Sequence, residues 1–135
     1  MYDKILVPMA LNHDISPETL AAAKALCKPS GEIIALHVYE SPHSMAKAAL
    51  GEKLLQQGFE TAKDLLREKT ASHPEVKPVI VTGHSYRTIV EYAADNDIGC
   101  IVMASHKPDL SDYLLGSTAA RVVRHASCSV LVYRA

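Results

Sequence analysis

The chain has 135 residues, a formal net charge of −1 and 21% charged residues, so charge suggests neither nucleic-acid attraction nor acidic solvation. Aromatic residues are 5% with no Trp, which argues against a base-stacking platform for single strands. The length suits one domain, residues 1–135, large enough to bury a core.

Lys4 to Met9, KILVPM, is apolar without alternation, as a strand covered on both faces requires, and Pro8 closes its pairing. Ala10 to Asp14 is a loop. Ser16-Pro17-Glu18 then supplies an N-cap, a proline at the first helical position and an acid in the first turn. That helix is predicted to run to about Lys28, stopped by Pro29-Ser30-Gly31. Glu32 to Tyr39, EIIALHVY, reads as a second buried strand, broken by Ser41-Pro42. A helical segment follows from Met45 to Thr70 with Leu50, Leu54, Gly58, Ala62, Leu65 and Leu66 as its apolar stripe. Gly51 and Gly58 argue against one straight helix.

Val76 to Thr82 reads as a third strand, and Pro78 assigns it to a sheet edge. Gly83-His84-Ser85 makes a turn and cap. The next helix puts Tyr86, Ile89, Val90 and Ala93 on one face and ends at Asn96 and Gly99. Cys100 to Met103 is the fourth strand, followed by a polar loop from Ala104 to Asp112. Gly116-Ser117-Thr118 opens a helix whose apolar face is Ala119, Val122, Val123 and Ala126. Cys128 to Tyr133 closes the chain as a fifth strand.

Strands and helices alternate strictly, so the expected fold is α/β: an open five-stranded parallel sheet with helices on both faces. In the order 3-2-1-4-5 the strand order reverses between strands 1 and 4, and the ligand crevice falls at their carboxyl ends. Its walls are then the loop after Met9 and the loop from Ala104 to Ser117. That second loop is long for a strand-to-helix connection, and long loops tend to be functional or disordered.

The N–H groups of Gly116, Ser117 and Thr118, with the two hydroxyls, make a candidate phosphate cradle, and Lys107 a candidate counter-charge. The alternative is that Gly-Ser-Thr is a turn and cap and nothing more. There is no GxxxxGK[ST] and no GxGxxG, so neither a P-loop nor a dinucleotide fingerprint is present. Ser105 and His106 sit at the lip of strand 4. Catalysis by His106 would need a partner acid, for which Asp109 and Asp112 are available. The histidines show no HExxH spacing and the serines no GxSxG context, so no metal site and no hydrolase triad is expected. Cys27, Cys100 and Cys128 lack a CxxC pattern and read as reduced, buried thiols. With no apolar stretch of about 18 residues and no signal-like start, the expected setting is the cytoplasm. The apolar fifth strand is an open sheet edge, which reads either as a homodimer seam through Val130, Leu131, Val132 and Tyr133 or as an edge guarded by its own tail.

KILVPM, IIALHVYE and IVMASHKPDLSDYLLGSTAARVVRHASCSVLVYR together resemble a small single-domain universal stress protein over essentially the whole chain. The closing segment carries most of the resemblance. Nucleotide-binding members of that family have G-2x-G-9x-G(S/T) from strand 4 into the next helix. Here Ala104 and Lys107 replace the two early glycines, the loop is one residue shorter, and Gly116-Ser117 is intact. Met9-Ala10 also stands where members often have an acid after the VP. The ASHKPD…YLLGS variant is similar to an enterobacterial subgroup that keeps nucleotide binding without those glycines.

The resemblance implies an adenine nucleotide alpha hydrolase-like, Rossmann-type fold and a dimeric stress-response protein binding ATP or AMP, with Mg possible beside ATP. It implies that Val38 lines the adenine pocket, that Pro8, Met9 and Met103 flank it, and that Ser117, Thr118 and Ala119 hold phosphate. Ala10, Ala104, Ser105, His106, Lys107 and Gly116 complete the implied site. No catalytic residue is assigned, because the usual parts for fast phosphoryl transfer are missing. Two other readings stay open: a nucleotide-free dimerisation module that recruits a protein partner, and a weak ATPase using Asp109 or Asp112 with Mg.

Overall fold

In the computed structural model, which describes residues 1–40, 44–105 and 116–134, the unbroken apolar runs are parallel strands buried on both faces. Five strands alternate with four helices: β1 (Tyr2–Pro8), α1 (Pro17–Leu26), β2 (Cys27–Tyr39), α2 (Ser44–Thr70), β3 (Val76–Thr82), α3 (Ser85–Asp95), β4 (Cys100–Ser105), α4 (Ser117–His125) and β5 (Ser129–Arg134). The sheet order is β3-β2-β1-β4-β5, as the crossover argument expects. Successive strand residues point to opposite faces, so each strand feeds two cores. Ile5, Val7, Ile33, Ala35, Cys100 and Val102 pack under α1 and α2 with Leu20, Ala23 and Leu66. Leu6, Ile34, Leu36, Ile101 and Met103 pack under α3 and α4 with Ile89, Ala93, Ala119 and Val122.

Several expected boundaries move. Helix α1 ends at Leu26 rather than near Lys28, and β2 begins at Cys27 rather than Glu32. Lys28 precedes Pro29, which pushes it away from helical geometry toward extended. Tyr2 pairs with Cys27 and Lys4 with Glu32, so the intervening residues of β2 form a bulge against β1. Gly31 is required in that bulge, because a Cβ there would lie 2.6 Å from Cys27 Sγ and 2.8 Å from the Asp3 carbonyl oxygen. Ala104 and Ser105, expected in a loop, extend β4 and pair with Tyr133 and Arg134.

The stripe expected along α2 is buried only in its second half. Leu66 is 1% exposed, whereas Leu50 and Leu54 are 46% and 54% exposed. The helix breaks at Gly51, whose φ of 80° is not helical. Gly58 stays inside the helix and serves packing: a Cβ there would run into the Tyr39 hydroxyl. Tyr39 in turn stacks on Phe59 with ring centres 5.8 Å apart. On α4, Val123 is a correction too: it is 46% exposed, while Ala119 and Val122 alone are buried. A helix this short lays a narrow stripe on the sheet, and Val123 falls on its rim. Of the thiols, Cys100 is buried as expected, but Cys27 and Cys128 are only half-buried. Burial pushes the Cys100 and Cys128 thiols upward, away from the reactive thiolate form.

Candidate functional site

The crevice exists because the β1–β4 ladder is short. Those strands pair only at Ile5–Cys100 and Leu6–Ile101, whereas β1 stays paired with β2 as far as Pro8–Leu36. Beyond Leu6 the two strands part, and a cavity of about 640 Å³ opens at their carboxyl ends. That volume lies inside the range of about 300–1,000 Å³ usual for small-molecule pockets.

Three strand ends form its floor: Val7, Pro8, Met9 and Ala10 after β1, Leu36, His37 and Val38 on β2, and Met103 and Ala104 on β4. Helix starts form its rim: Ile15, Ser16 and Thr19 at α1, Ser85 and Ile89 at α3, and Gly116 to Ala119 at α4. The exit of β1 is held in place by β2. The Met9 N–H donates to the Leu36 carbonyl at 2.9 Å, and the Met9 carbonyl accepts from His37 Nδ1 at 3.0 Å. A carbonyl only accepts, so His37 carries its proton on Nδ1 and presents Nε2 as an acceptor when neutral.

Helix α4 begins without a capping side chain at its N-cap. Gly116 occupies the N-cap with φ −60° and ψ 153° and offers no side chain, so among the described residues no side chain caps the N–H groups of the first turn. Arg124 and His125 lie in the last turn and no acid lies in the first, which leaves the positive end of the dipole toward the cavity. Packing fixes this helix against α3: Tyr86 stacks on His125 at 5.5 Å, and the Arg121 guanidinium sits 5.3 Å from the centre of the Tyr86 ring. At the crevice end Ser85 Oγ and Thr118 Oγ1 are 3.4 Å apart. Helix α3 differs from α4 in that its Ser85 N–H is taken, donating to a Glu40 carboxylate oxygen at 3.2 Å.

Of the expected site residues, Pro8, Met9, Ala10, Val38, Met103, Ala104, Gly116, Ser117, Thr118 and Ala119 all line this one cavity. Ser105 ends β4 opposite Arg134, beside the lining rather than in it. His106 and Lys107 lie outside the described residues, as do Asp109 and Asp112. Sequence reasoning missed His13, Ser16, Thr19, His37, Glu40 and Ser85. Glu40 had a usable signal, since it directly follows the strand next to the topological switch point. No group of His, Cys, Asp and Glu suited to a metal occurs among the described residues. No helix among them is long and apolar enough to cross a membrane.

Residues 1–134 match the model of the Universal stress protein family. The chain belongs to that family. Universal stress protein G of Salmonella typhimurium is 28% identical over 142 residues, covering 99% of this chain and 100% of that protein. The solved universal stress protein UspA from Lactobacillus plantarum is 29% identical, with a TM-score of 0.72 and 98% of both chains covered. Two more distant universal stress proteins share the fold and were solved with ligands. One, at 22% identity and TM-score 0.62, is a complex with cAMP and covers 98% of this chain and 97% of its own. The other, from Archaeoglobus fulgidus, is a complex with dAMP at 17% identity and TM-score 0.54, covering 97% of each chain.

Proposed function

We propose that this universal stress protein binds an adenine nucleotide in the crevice between the ends of β1 and β4, and acts as a ligand-responsive dimer rather than as an enzyme with rapid turnover. The observation that carries the reading is the start of α4, with glycine at its N-cap and no capping side chain among the described residues, lining a cavity of suitable size. Its first-turn N–H groups, with the Ser117 and Thr118 hydroxyls, suit a phosphate. The apolar floor made by Val7, Met9, Val38 and Met103 suits a flat base. Relatives solved with cAMP and dAMP support an AMP-type ligand.

ATP belongs to the same reading. Mg is possible beside the triphosphate; Glu40 is the only carboxylate among the described lining residues, and Asp109 and Asp112 lie outside them. The homodimer would form through the open side of β5, where Val130, Leu131, Val132 and Tyr133 pair only with β4. A cytoplasmic setting completes the proposal.

The direct test is thermal melting of ligand-free protein with ATP, ADP, AMP and GTP, each with and without Mg. A nucleotide at 100 times its Kd should add about 2.7 kcal/mol of stability and raise the Tm clearly. Shifts with adenine nucleotides and not with GTP support the reading. A flat response at millimolar nucleotide rejects it in favour of the partner-recruiting module.

A further inference from the structure

Helices α1, α3 and α4 all start at the crevice, and two of the three starts are closed by the chain itself. On α1, Ser16 Oγ accepts from the Thr19 N–H at 3.1 Å, the ordinary N-cap arrangement. The closure of α3 is different in kind. His84 holds the N-cap position and its side chain makes no cap bond. The acceptor is instead a full negative charge sent across from the end of β2, Glu40, 3.2 Å from the Ser85 N–H. Ser85 then reaches α4, its Oγ 3.4 Å from Thr118 Oγ1. Glu40 therefore stands one serine away from the start of α4. Among the described lining residues it is the only Asp, Glu, Lys or Arg.

We propose that Glu40 limits the number of phosphates the crevice accepts. This rests on the nucleotide reading above and makes Glu40 a specificity residue that favours a nucleoside monophosphate over a triphosphate. The carboxylate sits at the positive end of α3 and takes the Ser85 N–H, so that helix start is less able to hold a second anion. Glu40 is exposed at the edge of the crevice, where its charge adds negative potential to the mouth. A monophosphate is held by the first turn of α4 against this single charge. Each further phosphate adds negative charge at the same mouth, where the described lining residues include no lysine or arginine and Lys107 lies outside the described residues.

Glu40→Gln tests this, because the amide oxygen still accepts from the Ser85 N–H while the charge is gone. Calorimetric titrations would compare adenosine, AMP and Mg-free ATP on the wild type and on E40Q. Wild type should bind AMP more tightly than ATP. In E40Q the affinity for ATP relative to AMP should rise at least about fivefold, adenosine being unchanged, and the gain should shrink at high salt. Glu40→Asp keeps the charge and should keep the wild-type preference, which separates charge from any change in folding. An unchanged ATP-to-AMP ratio in E40Q, with AMP still bound, overturns the role of Glu40 alone. So does loss of AMP binding in E40Q, which would make the carboxylate a ligand acceptor. Failure of both proteins to bind any of the three overturns the nucleotide reading and this inference with it.

Discussion

The His37 ring and the Met9 carbonyl, 3.0 Å apart, tie the second strand to the residue that leaves the first. Both residues border the cavity, so one hydrogen bond sets the position of a wall. His37→Ala removes the donor and leaves a half-sheltered carbonyl to water. We expect a loss of about 1 kcal/mol, seen as a Tm lower by a few degrees, together with weaker nucleotide binding. A variant with full stability and unchanged affinity would show that Met9 is held by its Leu36 bond alone.

Gly116→Asp should move stability and binding in opposite directions. The site has extended geometry with negative φ, and a Cβ there meets nothing within 4 Å. An aspartate fits and caps α4, adding a few tenths of a kcal/mol. The same carboxylate then sits where the phosphate is proposed to bind. Melting without ligand should rise slightly, and the ligand-induced shift should vanish. A retained shift would move the anion away from the start of α4.

The outer edge of β5 bears on dimerisation. Val130 and Val132 pack toward the α3–α4 core, while Leu131 lies on the alternate face and is 38% exposed. Leu131→Lys places on that edge the charge that sheet edges use to discourage pairing. Light scattering should find a dimer for the wild type and a monomer with little change in Tm for L131K. A monomeric wild type, or a dimeric L131K, would put the interface elsewhere or nowhere.

Gly58→Ala is a case where helix propensity and packing disagree. Alanine is favoured over glycine in a helix by about 1 kcal/mol. Here the added methyl meets the Tyr39 hydroxyl and forces that ring off Phe59. Denaturant unfolding should show G58A less stable than wild type. Combined with Tyr39→Phe, which removes the obstructing oxygen, the same substitution should become neutral or stabilising. If G58A alone stabilises, the ring adjusts without cost.

The strand order and the place of the crevice were legible in the sequence because they follow from local signals and handedness. Unbroken apolar runs such as ILV and CIVM mark doubly covered strands, and right-handed crossovers then leave few arrangements. Pro29 and Gly31 misled for a physical reason. They usually end structure, yet here they build a bulge whose need is set by Asp3, far away in sequence. The exposed Leu50 and Leu54 misled likewise, since helical spacing identifies a stripe and not what covers it. Site residues brought by strand ends and by the start of α4 could be read from topology. The Glu40–Ser85 bond could not, because its members are 45 positions apart and meet only once β2 and α3 are placed.

The two-pair ladder between β1 and β4 has a mechanical consequence. It divides the sheet into a three-stranded leaf and a two-stranded leaf, stitched at the base and parted at the top. Whatever lodges between the leaves touches both, and so works as a clasp. Its occupancy would register in how far the leaves come apart together or singly, a property that amide exchange reads strand by strand.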